Sequence, residues 1–214
     1  MEKQKVIIVN GSPRKNGNTS ELLKKAEEGA RFAGAEVECI SLYDLNYKGC
    51  VSCFTCKIKD GEMEGKCSQA DDLLEVFERI EKADALILGS PFYFSNVTAA
   101  MRSFLERLLF QYKVYDEKGT SLFPKKIKTG FIVTTGAPEL EFYKALLNNI
   151  TGSLCQTLGS SEYIFATNTY QFDDSGRYET SGIDVVKKLE YREKQFPIDC
   201  QNAFDLGKRL AEKA

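Results

Sequence analysis

Short apolar runs alternate with stretches of helical periodicity from one end of the chain to the other. Lys5–Asn10 (KVIIVN) is a continuous apolar run ending in a Gly-Ser-Pro turn, the pattern of a strand buried on both faces. Thr19–Gly34 places Leu22, Leu23, Ala26, Ala30 and Ala33 near helical spacing. Glu36–Leu42 predicts a second strand, and Asp71–Lys82 a helix with Leu74, Phe77 and Ile80 on one side. Ala85–Gly89 (ALILG) predicts a third, buried strand, and Thr98–Phe110 a helix rich in Met, Phe and Leu. Lys128–Thr135 predicts a fourth strand, Glu141–Leu158 a helix, and Tyr163–Thr167 a short fifth strand. Gln201–Lys213 closes the chain as an amphipathic helix.

Strands separated by helices imply right-handed βαβ units and a parallel sheet. The expected class is α/β: a doubly wound, five-stranded parallel sheet of order 2-1-3-4-5 with helices on both faces. Ligands in such sheets sit at the carboxyl ends of the strands, near the reversal of order between strands 1 and 3. The loops after Asn10, Gly89 and Thr135 are therefore the places to look for chemistry. Two segments interrupt the rhythm. Residues 43–70 form a long cysteine-bearing loop, and residues 168–199 are polar, with no sustained period, and are expected to be irregular. With no repeat or linker between them, residues 1–214 are expected to form a single domain.

Composition narrows the chemistry. Of 214 residues, 43% are hydrophobic and 28% charged, as in a water-soluble globular protein. A formal charge of −2 and a pI near 5.5 argue against a general nucleic-acid binder. No apolar run approaches the roughly 20 residues that span a bilayer. The opening MEKQKVIIVNGSP reads as a first strand rather than a signal peptide, so the expected location is cytoplasmic, with no membrane partner. Histidine and tryptophan are absent, which excludes imidazole-based triads and His-ligated metals.

The loop after the first strand, Asn10–Ser20 (NGSPRKNGNTS), runs into a helix N-terminus. Unpaired N–H groups and the positive dipole end make such a terminus a ready phosphate site. Ser12, Thr19 and Ser20 add hydroxyls, Asn16 and Asn18 add amides, and Arg14 adds charge. The loop lacks the Gly-Lys-Ser/Thr ending of a P-loop and contains no G-x-G-x-x-G. A plain turn, capped by Thr19 or Asn18, is the alternative.

GSPRKNGNTSELL, together with GSPFYFSNVTAAMRSFLERL at Gly89–Leu108, resembles the NADPH-dependent FMN reductase family, which includes the iron–sulfur flavoproteins. The resemblance covers about the first 140 residues at matching intervals. It implies a flavodoxin-like fold, bound FMN, NAD(P)H as cosubstrate and a homodimer or higher homo-oligomer. The backbone of Pro91, Phe92, Tyr93 and Phe94 and the side chain of Asn96 would border the isoalloxazine ring. Phe92 and Phe94 are alternatively core or interface residues. Thr134, Thr135 and Gly136 form the third loop, suited to the flavin edge or ribityl chain, or simply a turn that ends a strand. The flavin carries the redox chemistry itself, so no catalytic side chain is required.

Cys50, Cys53 and Cys56 follow C-x2-C-x2-C spacing, and Cys67 lies beyond a gap of ten residues. Four such thiolates suit a [4Fe–4S] cluster, free and redox-active thiols, or a four-thiolate zinc site. The resemblance to iron–sulfur flavoproteins includes these four positions, although the last gap is longer than their compact spacing. Cys39, Cys155 and Cys200 read as structural. Three functions are in contention. The first is an FMN oxidoreductase passing electrons from NAD(P)H or a redox protein to a small molecule or protein. The second is an iron–sulfur flavoprotein relaying single electrons between a ferredoxin-like carrier and FMN. The third is a non-catalytic flavin-binding sensor. The helix Thr98–Phe110, with Met101, Phe104, Leu105, Leu108, Leu109 and Phe110, carries enough apolar surface to predict dimerisation. Tyr170, Phe172 and Tyr178 would anchor an arm over the ring.

Overall fold

A computed structural model describes residues 3–138, 141–172 and 174–213. The strands are β1 (Lys5–Asn10), β2 (Glu36–Ser41), β3 (Ala85–Tyr93), β4 (Asn96–Val97), β5 (Ile127–Thr134) and β6 (Gly159–Ala166). The helices are α1 (Asn18–Phe32), α2 (Leu73–Lys82), α3 (Ala99–Tyr112), α4 (Glu141–Leu158), α5 (Val185–Lys194) and α6 (Phe196–Ala211). The sheet runs β2-β1-β3-β5-β6 with all neighbours parallel, and the two-residue β4 folds back antiparallel on the end of β3. With β4 set aside, this is the expected order 2-1-3-4-5.

Alternation along β1 divides the core. Val6 and Ile8 face a layer built from α1 and α6, through Leu22, Ala26, Leu206 and Leu210. Ile7 and Val9 face the opposite layer, where α2, α3 and α4 supply Phe77, Ile80, Phe104, Leu108 and Leu154. Both faces are covered, which is why the strands read as apolar runs rather than alternating ones.

Several expectations need correction. β3 continues past Gly89 to Tyr93, because Ser90 and Pro91 keep pairing with Val133 and Thr134 of β5. The fifth sheet strand begins at Gly159, four residues before Tyr163. Residues 168–199 are not wholly irregular: they contain α5 and the first turn of α6. The helix α5 buries no residue, so it has no apolar stripe to betray it, and Asp184 caps it by accepting from the Lys187 amide. The helix α6 starts at Phe196, with a proline in its first turn where a missing N–H costs nothing. Cys39 and Cys155 are exposed rather than packed in the core, whereas Cys200 is half-buried. Most of the apolar excess on α3 is absorbed internally, since Met101, Phe104, Leu105 and Leu108 are all buried. No described helix is long and apolar enough to cross a membrane.

Candidate functional site

The loop after β1 is fixed from below and from the side. The Gly11 amide donates to the Gly89 carbonyl (2.7 Å), and the Thr98 hydroxyl donates to the Gly11 carbonyl (2.7 Å) while accepting from the Met101 amide. Thr98 thus caps α3 and ties that helix to the loop in a single residue. A Cβ on Gly11 would come within 2.9 Å of Met101, so the backbone here sits where only glycine fits. Asn10 and Ser20 clasp the loop ends: Asn10 Nδ2 donates to Ser20 Oγ (2.9 Å), and Ser20 Oγ donates to the Arg14 carbonyl (2.7 Å).

Neither Thr19 nor Asn18 caps α1, contrary to the alternative above. The cap position is Gly17, which has no side chain to offer, so the first turn of α1 is uncapped. Among the described residues the amides of Asn18, Thr19 and Ser20 have no hydrogen-bond acceptor. They are the orphan donors of a helix N-terminus, gathered beside buried hydroxyls. Ser12, Thr19, Ser20, Thr134 and Thr135 are all buried, and Thr19 Oγ1 lies 2.7 Å from Thr134 Oγ1, joining the first loop to the third.

Together the three loops line one cleft. Ser12, Arg14, Asn18, Thr19, Pro91, Phe92, Tyr93, Thr134, Thr135 and Gly136 border it, joined by Thr169 and Gln171. Asn16 instead faces a neighbouring polar hollow with Arg177 and Arg192. Ser20 sits beneath the loop as a clasp. Asn96 turns away: its Oδ1 accepts from the Val97 amide. Phe92 is 8% exposed and packs against Tyr143 and Phe165 (centroids 5.5 and 5.8 Å). Phe94 and Ser95 form the tip of a two-residue hairpin, both at positive φ (49° and 65°), and Phe94 projects fully into solvent.

The cleft measures about 110 Å³, less than the several hundred Å³ usual for a small-molecule site. The segment after β6 narrows it. Asn18 Nδ2 donates to the Tyr170 carbonyl (2.7 Å), Arg14 Nη1 donates to the Gln171 carbonyl (2.8 Å), and the Gln171 amide lies over Gly136. Lys188 of α5 donates to the Gly136 carbonyl, and burial lowers its pKa. Phe172 and Tyr178 stack on each other at 4.5 Å. The sequence reading placed an arm here, anchored by Tyr170, Phe172 and Tyr178, but missed Thr169, Gln171 and Lys188, because a polar side chain carries no local sign of a distant contact.

The second constellation lies in the long loop. Cys50, Cys53, Cys56 and Cys67 border one small cavity, floored by Arg107, Phe110 and Gln111 of α3. Ser52 and Phe54 adopt left-handed backbone (φ 53° and 59°), costing of order 1–3 kcal/mol each, and so turn the chain twice between the first three cysteines. Burial pushes the Cys56 thiol up. The exposed Cys53 thiol is drawn down to about 7 by the Thr55 hydroxyl and amide and then by Ser68. Zinc needs four ligands about 2.3 Å from one point, and among the described residues no three thiol or carboxylate groups stand close enough to hold a single ion. Neither a zinc site nor a cysteine cluster is therefore preassembled among the described residues. A cluster binds each cysteine through a separate iron, so its ligands stand further apart.

Residues 4–167 match the model of a family described as NADPH-dependent FMN reductase. The chain belongs to this family. Among similar proteins, an iron–sulfur flavoprotein of Methanocaldococcus jannaschii is 41% identical over 103 residues, 48% of this chain and 51% of that one. An iron–sulfur flavoprotein of Archaeoglobus fulgidus is 40% identical over 105 residues, covering 49% and 46%. The alignments span about half the length of these relatives. An NAD(P)H:quinone oxidoreductase from Methanothermobacter marburgensis superposes with a TM-score of 0.72 at 18% identity, over 100% of this chain and 98% of that one. An azoreductase from Bacillus anthracis gives 0.67 at 12% identity, over 96% and 99%. At such identities these two structures establish the flavodoxin-like fold and nothing finer.

Proposed function

We propose that this chain binds FMN at the carboxyl ends of β1, β3 and β5 and works as an NAD(P)H-dependent oxidoreductase with a small-molecule or protein acceptor. The observation that carries the reading is the uncapped start of α1, whose free amides stand among buried hydroxyls at the reversal of strand order. The donor set suits a phosphate dianion: backbone N–H groups, hydroxyls at Ser12 and Thr19, and the Arg14 guanidinium. Pro91, Phe92, Tyr93, Thr135 and Gly136 would hold the ring edge. FMN bound there would exchange hydride or single electrons, the protein supplying orientation and electrostatics. Gln171 and Arg14, which now narrow the cleft, would separate to admit it.

The test is direct. FMN added to the flavin-free protein should lose its fluorescence at one equivalent, with a Kd of about 1 μM or tighter. Undiminished fluorescence at ~100 μM would remove the proposal. Anaerobic NADPH or NADH should then bleach the flavin band. Bleaching by reduced ferredoxin alone would replace the nicotinamide donor with a redox protein.

A second reading rests on the shared cavity of the four thiols. Cys50, Cys53, Cys56 and Cys67 would hold a [4Fe–4S] cluster, which would supply single-electron chemistry beside the flavin. The names of the M. jannaschii and A. fulgidus relatives support it. The cavity they border measures only about 10 Å³, so the loop would have to open outward to admit a cluster. Anaerobic reconstitution should give stoichiometric iron and sulfide and a reduced-state EPR signal; protein that takes up neither contradicts the reading. For the homodimer, the groove between α3 and α4 is the candidate seat. It measures about 710 Å³ and includes Leu105, Leu109, Phe110, Leu146 and Ile150. Light scattering near 24.0 kDa at micromolar concentration would exclude it.

A further inference from the structure

Buried polar groups nearly always find a partner, and each exception needs a physical cause. Among the described residues, three buried side-chain N or O atoms have none: Arg107 Nε, Gln111 Nε2 and Ser161 Oγ. The two residues that carry these nitrogens, Arg107 and Gln111, line the same cavity as the four cysteines. They stand one turn apart on α3, so both side chains leave the same face of the helix. Arg107 is 2% exposed and Gln111 3%, which puts both well inside the protein.

The rest of each side chain is fully engaged. Arg107 Nη1 donates to Asp71 and to the Lys48 carbonyl (3.2 Å), and Nη2 donates to the Gln69 carbonyl (3.2 Å). Burial alone would lower its pKa, but Asp71 and then Cys67 beside it more than offset that. Gln111 Oε1 accepts from the Cys67 amide (3.0 Å), which fixes the orientation of its NH2 group. An unpartnered N–H at this depth costs about 1–3 kcal/mol. Two of them, on residues that wall a cavity bordered by thiols and with Cys67 beside Arg107, form a candidate donor pair for sulfur.

We propose that Arg107 Nε–H and Gln111 Nε2–H donate to sulfur atoms of the iron–sulfur cluster and set its reduction potential. The inference rests on the cluster reading above. Reduction adds one electron to the cluster, and donors aimed at sulfur stabilise the added negative charge, so they raise the potential. Both residues would tune the cluster through hydrogen bonds alone, supplying no ligand to iron.

The cluster is reconstituted anaerobically in the full chain and titrated with dithionite, its reduced state followed by EPR. Gln111→Glu keeps the acceptor for the Cys67 amide and removes the NH2, and Gln111→Leu removes both. Each is expected to lower the cluster potential relative to wild type, by about tenfold in the reduction equilibrium, or roughly 59 mV for one electron. The FMN potential should stay put. Unchanged cluster potentials in both variants, with iron content intact, overturn the proposal while leaving the cluster in place. Wild-type protein that binds no iron overturns the cluster reading instead. Should the variants fail to load, wild-type protein carrying 15N in its glutamine and arginine side chains decides the matter. Pulsed EPR of the reduced cluster is expected to show weak couplings to both nitrogens, and a spectrum without them means that water fills the gap and refutes the assignment.

Discussion

Replacing Gly29 with alanine should drive α1 and α6 apart. A Cβ at this position would lie 1.9 Å from the Phe204 carbonyl oxygen and 3.0 Å from the Lys208 nitrogen, both backbone atoms that cannot rotate away. Ordinary contact begins near 3.4 Å, so the helices must part by about 1.5 Å locally. A gap of 0.5–1 Å already forfeits a quarter to a half of a dispersion contact. Leu22, Ala26, Ala30, Ala203, Leu206 and Leu210, all buried in this layer, would lose packing together. Overpacking of this kind costs about 1–3 kcal/mol, and the lack of any flexible neighbour places Gly29→Ala at the upper end. Alanine's better helix propensity returns up to ~1 kcal/mol, leaving a net loss of about 2. For a chain of this size that lowers Tm by roughly 4–8 °C. Thermal melts by circular dichroism measure it. Gly152→Ala on α4 is the control, because an added Cβ there meets nothing within 4 Å and should raise Tm slightly. A Gly29→Ala protein that melts at or above wild type, alongside a stabilised Gly152→Ala, would refute the backbone-contact argument.

Thr19→Val keeps shape but strands the buried Thr134 hydroxyl, costing about 1–2 kcal/mol in urea unfolding. It should also weaken FMN binding about tenfold by fluorescence titration, and equal affinity would remove Thr19 from the phosphate site. Phe94→Asn relieves a left-handed residue that buries nothing, and a gain of about 0.5–1 kcal/mol is expected by the same unfolding assay. A loss there would mean that the ring has a partner. Burial raises the Asp199 carboxyl above its ordinary value of 3.8, although Gln195 and Tyr191 donate to it. A folded pKa above the unfolded one stabilises only below the unfolded value and is lost as pH rises through the folded value. Asp199→Asn should therefore gain most over wild type at neutral pH, and the gain should vanish as pH falls below 4. A gain independent of pH between 3 and 8 would contradict the shift.

How much of the molecule was legible depends on where the information lies. Strand β1 and helix α4 were read to the residue, since unbroken apolar runs and apolar periodicity are local signals. The loop after β1 was legible as a turn into a helix for the same reason: Gly11, Gly17 and their flanking hydroxyls fall within one turn-forming stretch. The helix α5 was not legible, because it buries no side chain and so carries no periodic apolar trace. Arg107 and Gln111 were hidden in plain view. Their i, i+4 spacing within an apolar helix was a usable sign, but only the fold brings the cysteine loop over them.

The amino-acid order alone determined the parallel α/β architecture and the loop proposed to hold a phosphate, since both follow from local alternation and turn chemistry. Tertiary structure decided which polar groups end without partners, that Phe94 leaves the cleft for solvent, and that the segment after β6 lies across the loop after β1. Those outcomes depend on contacts such as Arg14 with Gln171 and Arg107 with Asp71, between residues 157 and 36 positions apart. No local pattern encodes such pairs, because the energy that selects them exists only once both faces of the sheet are covered.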